Sequence, residues 1–157
     1  MAFWIFLVVV VIAILAMLRE VKQYERGVIL TMGRYTGVRG PGWSVVVPVF
    51  QRMIKVDLRV KAVDVPDQKV ITRDNVSASI NAVIYYKVSD AARAVLEVED
   101  FRYAVSQLAQ TTMRNVVGGA ELDEVLAERD KLSENIRKVI DQETDEWGIV
   151  VENVELK

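Results

Sequence analysis

The first 18 residues of this chain are all apolar, and every charged residue comes after them. As a helix they would rise about 27 Å, at about 1.5 Å per residue, close to the roughly 30 Å hydrocarbon core of a bilayer. Phe3, Trp4 and Phe6 lie near the start, and aromatic rings favour a membrane interface. We therefore predict a transmembrane helix over 1–18, with Phe3, Trp4, Phe6 and Leu18 as the membrane anchor.

Two other structures stay open for this segment. A cleaved signal peptide would have a basic start and a small-x-small cleavage site, but no Lys or Arg precedes the run and two residues separate Ala13 from Ala16. A buried core helix is the other alternative. Arg19, Lys22 and Arg26 follow the segment, so the positive-inside bias predicts a single-pass protein of the cell membrane with its domain on the cytoplasmic side.

The charges are divided unevenly along the rest of the chain. Residues 19–73 contain 11 Lys+Arg and 5 Asp+Glu, whereas residues 74–157 contain 9 and 17. A basic stretch is attracted to anionic lipid, by roughly 1 kcal/mol for each cation close to the surface. The first half is therefore predicted to face lipid, although a strand-rich surface that uses Lys and Arg would show the same charges. Neither half has the basic cluster with interleaved aromatic residues that nucleic-acid binding favours.

Strand patterns fill the first half and helix patterns the second. Residues 76–88 alternate between two faces, which predicts a long central strand, and shorter strands are predicted at 23–32, 52–58, 61–65 and 69–72. Residues 33–42 are rich in glycine and predict a loop. Asp90 and Asp100 are placed to cap helices, and Gly148 precedes a last strand at 149–156. The chain is thus predicted to be α+β, with a membrane-proximal β-rich subdomain at 19–66 and a distal α+β subdomain at 67–157.

Catalytic patterns are absent from the sequence. Without Cys and His, the chain lacks thiolate chemistry and the commonest general base and metal ligand. The acidic residues of 121–130 alternate with Arg129 and Lys131, as a solvated helix face does. A catalytic dyad of Ser44 with Lys55 is compatible with these residue types, but nothing else in the sequence favours it. The sequence predicts a protein that is not an enzyme and has no cofactor or metal.

The apolar run from Trp43 to Phe50 has two interpretations. It fits a buried core strand, and it equally fits a loop that dips into lipid headgroups with Trp43 at the interface. In the second case the lipid-interface residues would be Arg39, Pro41, Trp43, Pro48, Phe50 and Arg52. A further apolar stripe at helical spacing, between 122 and 147, is predicted to make lateral contacts between subunits through Leu122, Leu126, Leu132, Ile136 and Val139.

Eight motifs along residues 20–157 together resemble the stomatins, within the stomatin/prohibitin/flotillin (SPFH, Band 7) superfamily, and the prokaryotic type in particular. They are YERGV at 24–28, GRY at 33–35, RGPG at 39–42, IKVDLR at 54–59, VITRDNV at 70–76, VIYYKV at 83–88, LAQTTMRNVVG at 108–118 and WGIVVE at 147–152.

This resemblance implies an α+β domain and an oligomeric integral-membrane scaffold. Such a scaffold organises membrane microdomains and regulates partner membrane proteins. The implied partners are membrane lipids, further copies of the chain, and an NfeD-type membrane protease or a channel. A monomeric membrane-anchored lipid-binding adaptor is the alternative, and a membrane-tethered hydrolase is the least favoured. Family members usually continue into a long helix rich in Ala, Glu and Arg, whereas this sequence ends at Lys157, so truncation before such a helix stays open.

Overall fold

The computed structural model describes all residues from 1 to 157, which divide into two units. Unit 1 is Met1–Leu58 and unit 2 is Arg59–Lys157. This boundary lies before the predicted one at residue 66, because the strand that opens unit 2 runs through Pro66 without ending there.

Unit 1 contains α1 (Ala2–Met17), β1 (Leu18–Val21), β2 (Glu25–Thr31), β3 (Arg34–Arg39), β4 (Gly42–Val45) and β5 (Gln51–Asp57). Unit 2 contains β6 (Lys61–Ile71), β7 (Ser77–Val88), α2 (Ala91–Leu96), α3 (Phe101–Gly118), α4 (Leu122–Ala127), α5 (Arg129–Asp145) and β8 (Ile149–Leu156). The predicted α+β class is therefore observed.

Helix α1 is shorter than the predicted membrane span. It has 16 residues, and Leu18 already has the extended φ of −76° and ψ of 122° with which β1 begins. No helix in the structure combines the length and the apolar character needed to cross a bilayer. The predicted transmembrane helix over 1–18 is therefore wrong, and the predicted single-pass topology has no support. The predicted cytoplasmic side, which was inferred from the charges after that span, loses its basis.

Unit 1 contains two small antiparallel sheets. β1 pairs with β4, and β2 lies between β3 and β5. Residues 34–39, predicted as part of a loop, form β3 because they pair with the second edge of β2. Met32 and Gly33 connect these two strands with φ values of 52° and 81°, as a two-residue hairpin turn of type I′ requires.

Unit 2 is built on the antiparallel sheet β6-β7-β8. The central strand predicted at 76–88 is confirmed as β7. Helix α3 contacts β6 and α5, and α5 contacts β8. Ile84 of β7, Met113 of α3 and Ile136 of α5 are fully buried in the resulting core.

The strand predicted at 61–65 does not end before Pro66 but continues to Ile71. The pairing of β6 with β7 shifts register between Val65 and Gln68, so Pro66 and Asp67 lie outside the regular ladder. A bulge accommodates proline because its nitrogen has no hydrogen to donate to the neighbouring strand. The two short strands predicted at 61–65 and 69–72 are therefore one strand.

The predicted helix caps of unit 2 and the predicted glycine before its last strand are confirmed. The Asp90 carboxylate accepts from the Arg93 amide at 3.2 Å and caps α2, and the Asp100 carboxylate accepts from the Tyr103 amide at 3.1 Å and caps α3. Gly148 precedes β8 with a φ of 68°. The apolar stripe of 122–147 is divided between α4 and α5, because Glu128 has a non-helical φ of −116° and ψ of 40°.

Candidate functional site

Helix α1 exposes apolar side chains on all sides, and none of its residues is buried. Among the predicted anchor residues, Phe3, Trp4 and Phe6 are 71%, 70% and 68% exposed. Leu18 differs, because it lies in β1 and is partly covered. A folded chain rarely leaves so continuous an apolar surface in water, and such surfaces usually contact a protein or a membrane.

The pairing of β1 with β4 continues this apolar surface past the end of α1. Leu18 lies opposite Val45, and Glu20 lies opposite Trp43. Side chains of residues two apart, or directly opposite each other, share one face of a sheet. This face therefore presents Leu18, Trp43 and Val45 together with Glu20, and Trp43 and Val45 are 74% and 59% exposed.

The opposite face of the same strand pair is covered. Val21 and Ser44, which lie on it, are both buried. The two interpretations of the run that begins at Trp43 therefore each describe part of it, since Trp43 and Val45 are exposed while Ser44 and Val46 are buried.

A turn at 46–51 connects β4 to β5 and projects three more exposed residues. The Val46 amide donates to the Met17 carbonyl at 2.8 Å, which holds the start of the turn against the end of α1. The Gln51 amide donates to the Val47 carbonyl at 2.7 Å and closes the turn. Pro48, Val49 and Phe50 are exposed between these two bonds. We name this surface the apolar end of unit 1: α1, the outer face of β1 and β4, and Pro48–Phe50.

The remaining members of the predicted lipid-interface set, two arginines and a proline, lie in the same unit. Arg39 is the last residue of β3, Arg52 is the second residue of β5, and Pro41 lies between β3 and β4, all three exposed. Neither arginine forms an ion pair or a hydrogen bond with its side chain. Both therefore carry charges that no residue of the chain neutralises.

Lys22, the residue that follows β1, has an aromatic ring beside its charged group. The Lys22 ammonium lies 5.8 Å from the centroid of the Tyr24 ring. Its hydrogen bond to Tyr24, followed by the charges of Tyr24 and Glu25, raises the pKa of Lys22 above its ordinary value.

The five residues predicted for subunit contacts are not on one surface. Leu132 and Ile136 are 8% and 0% exposed and belong to the core of unit 2. They face α3 and the sheet because α5 buries one side, so their side chains are not available to another subunit. Leu126 and Val139 are exposed at 67% and 41%, and Leu122 is partly exposed. A subunit contact stays a prediction, and only these three residues can serve it.

The groups considered for catalysis are not assembled. Ser44 is 8% exposed, and no hydrogen bond connects it to Lys55. No group of three or more acidic side chains is positioned to hold a metal ion.

Two exposed residues of the apolar end were not named in the predicted lipid-interface set. Val45 and Val49 lie within the run that was predicted to dip into lipid, and they are 59% and 83% exposed. Val45 could have been recognised because it lies two positions after Trp43, which places both side chains on one face of a strand. No comparable signal marks Val49, because its exposure depends on the turn that follows β4.

Comparisons with known proteins identify a family and several relatives. The model of the SPFH domain / Band 7 family matches residues 19–157. An uncharacterized protein of Archaeoglobus fulgidus is 54% identical over 99% of this chain and 63% of its own length. A stomatin homolog of Pyrococcus horikoshii is 46% identical over 98% of this chain and 58% of its own. Stomatin-4 of Caenorhabditis elegans is 43% identical over 89% of this chain and 50% of its own.

The chain spans less than two thirds of the length of these three relatives. The family match covers all the strands and helices after α1 except the first residue of β1, Leu18. The chain therefore belongs to the SPFH domain / Band 7 family, as a stomatin-like member.

Proposed function

We propose that this protein is a membrane-associated scaffold, held on lipid by the apolar end of unit 1 and assembled into homo-oligomers. The observation that carries the proposal is the register of β1 and β4, which places Trp43 and Val45 beside the end of α1. Relatives named as stomatins support the same general role.

The apolar end of unit 1 has enough surface to hold the chain on lipid. Moving one large apolar side chain out of water contributes about 1.5–3 kcal/mol. Phe3, Trp4 and Phe6 alone would then supply about 5 kcal/mol or more, before Trp43 and Phe50 are counted. Helix α1 exposes apolar side chains all round, so whichever side of it contacts lipid contributes to this binding.

Charge next to this surface favours anionic lipid. In residues 19–58 there are 7 Lys+Arg and 3 Asp+Glu. Arg39 and Arg52 have no carboxylate partner in the chain, which leaves them free to contact lipid headgroups.

Self-assembly is the second part of the proposal. Leu126 on α4 and Val139 on α5 are the exposed apolar residues on which a lateral contact would be built. The family resemblance extends the proposal to organising membrane microdomains and regulating a partner such as an NfeD-type membrane protease or a channel. Because Leu132 and Ile136 are buried, the apolar contact surface is smaller than the sequence suggested. This observation favours a monomeric lipid-binding adaptor as the second candidate.

Flotation of the full chain with phosphatidylcholine vesicles tests the membrane part. Replacing Val9 and Ile12 of α1 by Lys is expected to lower partition on the order of 100-fold, since two apolar side chains are lost from the contact. The control replaces Val60 and Ile71 of unit 2 by Lys, because these residues are exposed to similar extents of 55% and 63%. Equal partition of the two variants would overturn the proposal.

Native mass spectrometry of the detergent-extracted protein tests the assembly part. We expect more than one copy in the wild-type particle and fewer copies after Leu126→Glu with Val139→Glu. Leu96→Glu with Ile71→Glu is the control, because both residues are exposed apolar positions outside α4 and α5. A monomeric wild-type protein would contradict the scaffold and favour the adaptor.

A further inference from the structure

A cavity of about 370 Å³ lies in unit 1, and its chemistry is cationic. Arg19, Arg52 and Lys55 line it, and no acidic residue does. We propose that these three residues form a binding site for the phosphate of an anionic lipid headgroup. The inference rests on the proposed membrane association and adds a specific headgroup site to it.

The three cations have no partner inside the chain. None of Arg19, Arg52 and Lys55 forms an ion pair or a side-chain hydrogen bond. Some cations of unit 2 do have such partners, since Arg73 pairs with Glu121 at 2.5 Å and Lys131 pairs with Glu128 at 3.0 Å. Three cations and no carboxylate line the cavity, so a bound anion would supply the missing counter-charge. Guanidinium groups suit a phosphate because they can donate two parallel hydrogen bonds to it.

The wall of the cavity is held in place by hydrogen bonds. Gln51, which also lines it, accepts from the Val47 amide at 3.2 Å and donates to the Thr31 hydroxyl at 3.3 Å. Arg52 and Lys55 follow on β5, which is paired with β2 along its whole length. The backbone positions of both cations are thus fixed before any ligand binds, which lowers the entropic cost of binding.

The location of the cavity identifies the source of the phosphate. Arg19 follows Leu18, which connects it directly to α1. Pro48 lines the cavity, and the next two residues, Val49 and Phe50, are 83% and 57% exposed. The cations therefore lie between two apolar segments that would enter the acyl region. Lipid phosphates occupy this level of a membrane, whereas a soluble phosphate compound has no need of the apolar neighbours.

Vesicle partition of the full chain tests the site. The preference for vesicles containing phosphatidylglycerol over pure phosphatidylcholine is measured for the wild type and for Arg52→Gln with Lys55→Gln. We expect this preference to fall roughly five-fold for each cation removed. The control is Arg34→Gln with Lys69→Gln, because both residues are exposed, do not line the cavity and remove the same charge. It should retain most of the preference.

Two results would overturn the headgroup site. Equal losses in both double variants would indicate diffuse attraction by net charge, and no loss in either would indicate that the cavity does not contact lipid. Titration of the detergent-solubilised wild type with inorganic phosphate provides another arm. Saturable binding there, without any preference among vesicles, would also refute the lipid assignment. Partition into pure phosphatidylcholine reports on the proposed function separately, because it depends on the apolar end and not on the cavity.

Discussion

Gly148 and Asp90 approach each other so closely that a side chain at Gly148 has no space. A Cβ atom on Gly148 would lie 2.6 Å from the Asp90 carbonyl oxygen. The carbonyl oxygen of Gly148 accepts from the amides of Ser89 and Asp90 at 2.8 and 3.0 Å. These bonds connect the residue that precedes β8 to the residues that precede α2.

Replacing Gly148 by Ala is therefore expected to lower the free energy of unfolding by about 2 kcal/mol or more. The φ of 68° adds strain to the steric overlap. Urea denaturation measures the loss, with Gly37→Ala as the control, because no heavy atom lies within 4 Å of a Cβ at that position. Similar losses in the two variants would show that the contact with Asp90 is not what requires glycine.

Gln68, which is buried, connects the bulge of β6 to α3 through two side-chain hydrogen bonds. Its side-chain Oε1 accepts from the Arg114 guanidinium at 3.0 Å, and its side-chain Nε2 donates to the side-chain Oε1 of Gln110 at 3.3 Å. Gln68→Leu would remove both hydrogen bonds and is expected to lower the free energy of unfolding by about 1–3 kcal/mol. Lys69→Leu is the matched control on the exposed side of the same strand. If both variants unfold at the wild-type urea concentration, these hydrogen bonds do not stabilise the bulge.

Asp74 predicts a stability change with pH. Its carboxylate accepts from the Thr72 hydroxyl and from the Leu122 amide, and the bond from Thr72 is the main reason why the pKa of Asp74 lies below its ordinary value of 3.8. A lowered folded-state pKa means that the ionised group stabilises the fold above the unfolded-state pKa. That contribution is lost as the pH falls through the folded-state pKa.

Asp74→Asn should therefore destabilise the protein at neutral pH, and the difference from wild type should disappear in acid well below the ordinary carboxyl pKa. Thermal unfolding at a series of pH values measures this difference. Asp67→Asn is the control, because the Asp67 carboxylate makes no hydrogen bond or ion pair. A difference for Asp74→Asn that stays constant into strong acid would refute the role of its charge.

Replacing a side chain by alanine should have different effects on the two sides of α5. Ile136 is 0% exposed, so Ile136→Ala is expected to lower the free energy of unfolding by about 2–5 kcal/mol. Val139 is 41% exposed, and Val139→Ala should change it by about 0.5 kcal/mol or less. Denaturation of the dissociated protein in detergent makes the comparison. A large loss for Val139→Ala would place that residue in a contact which the isolated chain does not show.

Local signals in the sequence predicted much of unit 2. The alternation at 76–88, the caps Asp90 and Asp100, and the glycine before β8 act over a few residues, and each was found where expected. Unit 1 was predicted less well, because β1 exists only through its pairing with β4, which lies more than twenty positions away. The apolar character of Leu18 indicated a longer helix, and nothing nearby in the sequence opposes it.

The candidate site was only partly predicted, because part of it also depends on pairing between distant segments. Trp43 and Phe50 were selected for their apolar, aromatic character, but their exposure follows from strand pairing and from the turn at 46–51. Leu132 and Ile136 have the same spacing as a surface stripe, and a single sequence cannot tell whether the stripe contacts its own sheet or another subunit. Arg19, Arg52 and Lys55 are far apart in the chain and meet only in the fold.

The fluorescence of Trp43 in membranes tests the central claim most directly. With Trp4→Phe and Trp147→Phe, Trp43 is the remaining tryptophan, since the chain has 3. The register of β1 and β4 predicts that lipid contacts its ring, so its emission should shift to the blue in vesicles and be quenched by lipids brominated on their acyl chains. Emission typical of water, without quenching by those lipids in vesicle-bound protein, would contradict the account.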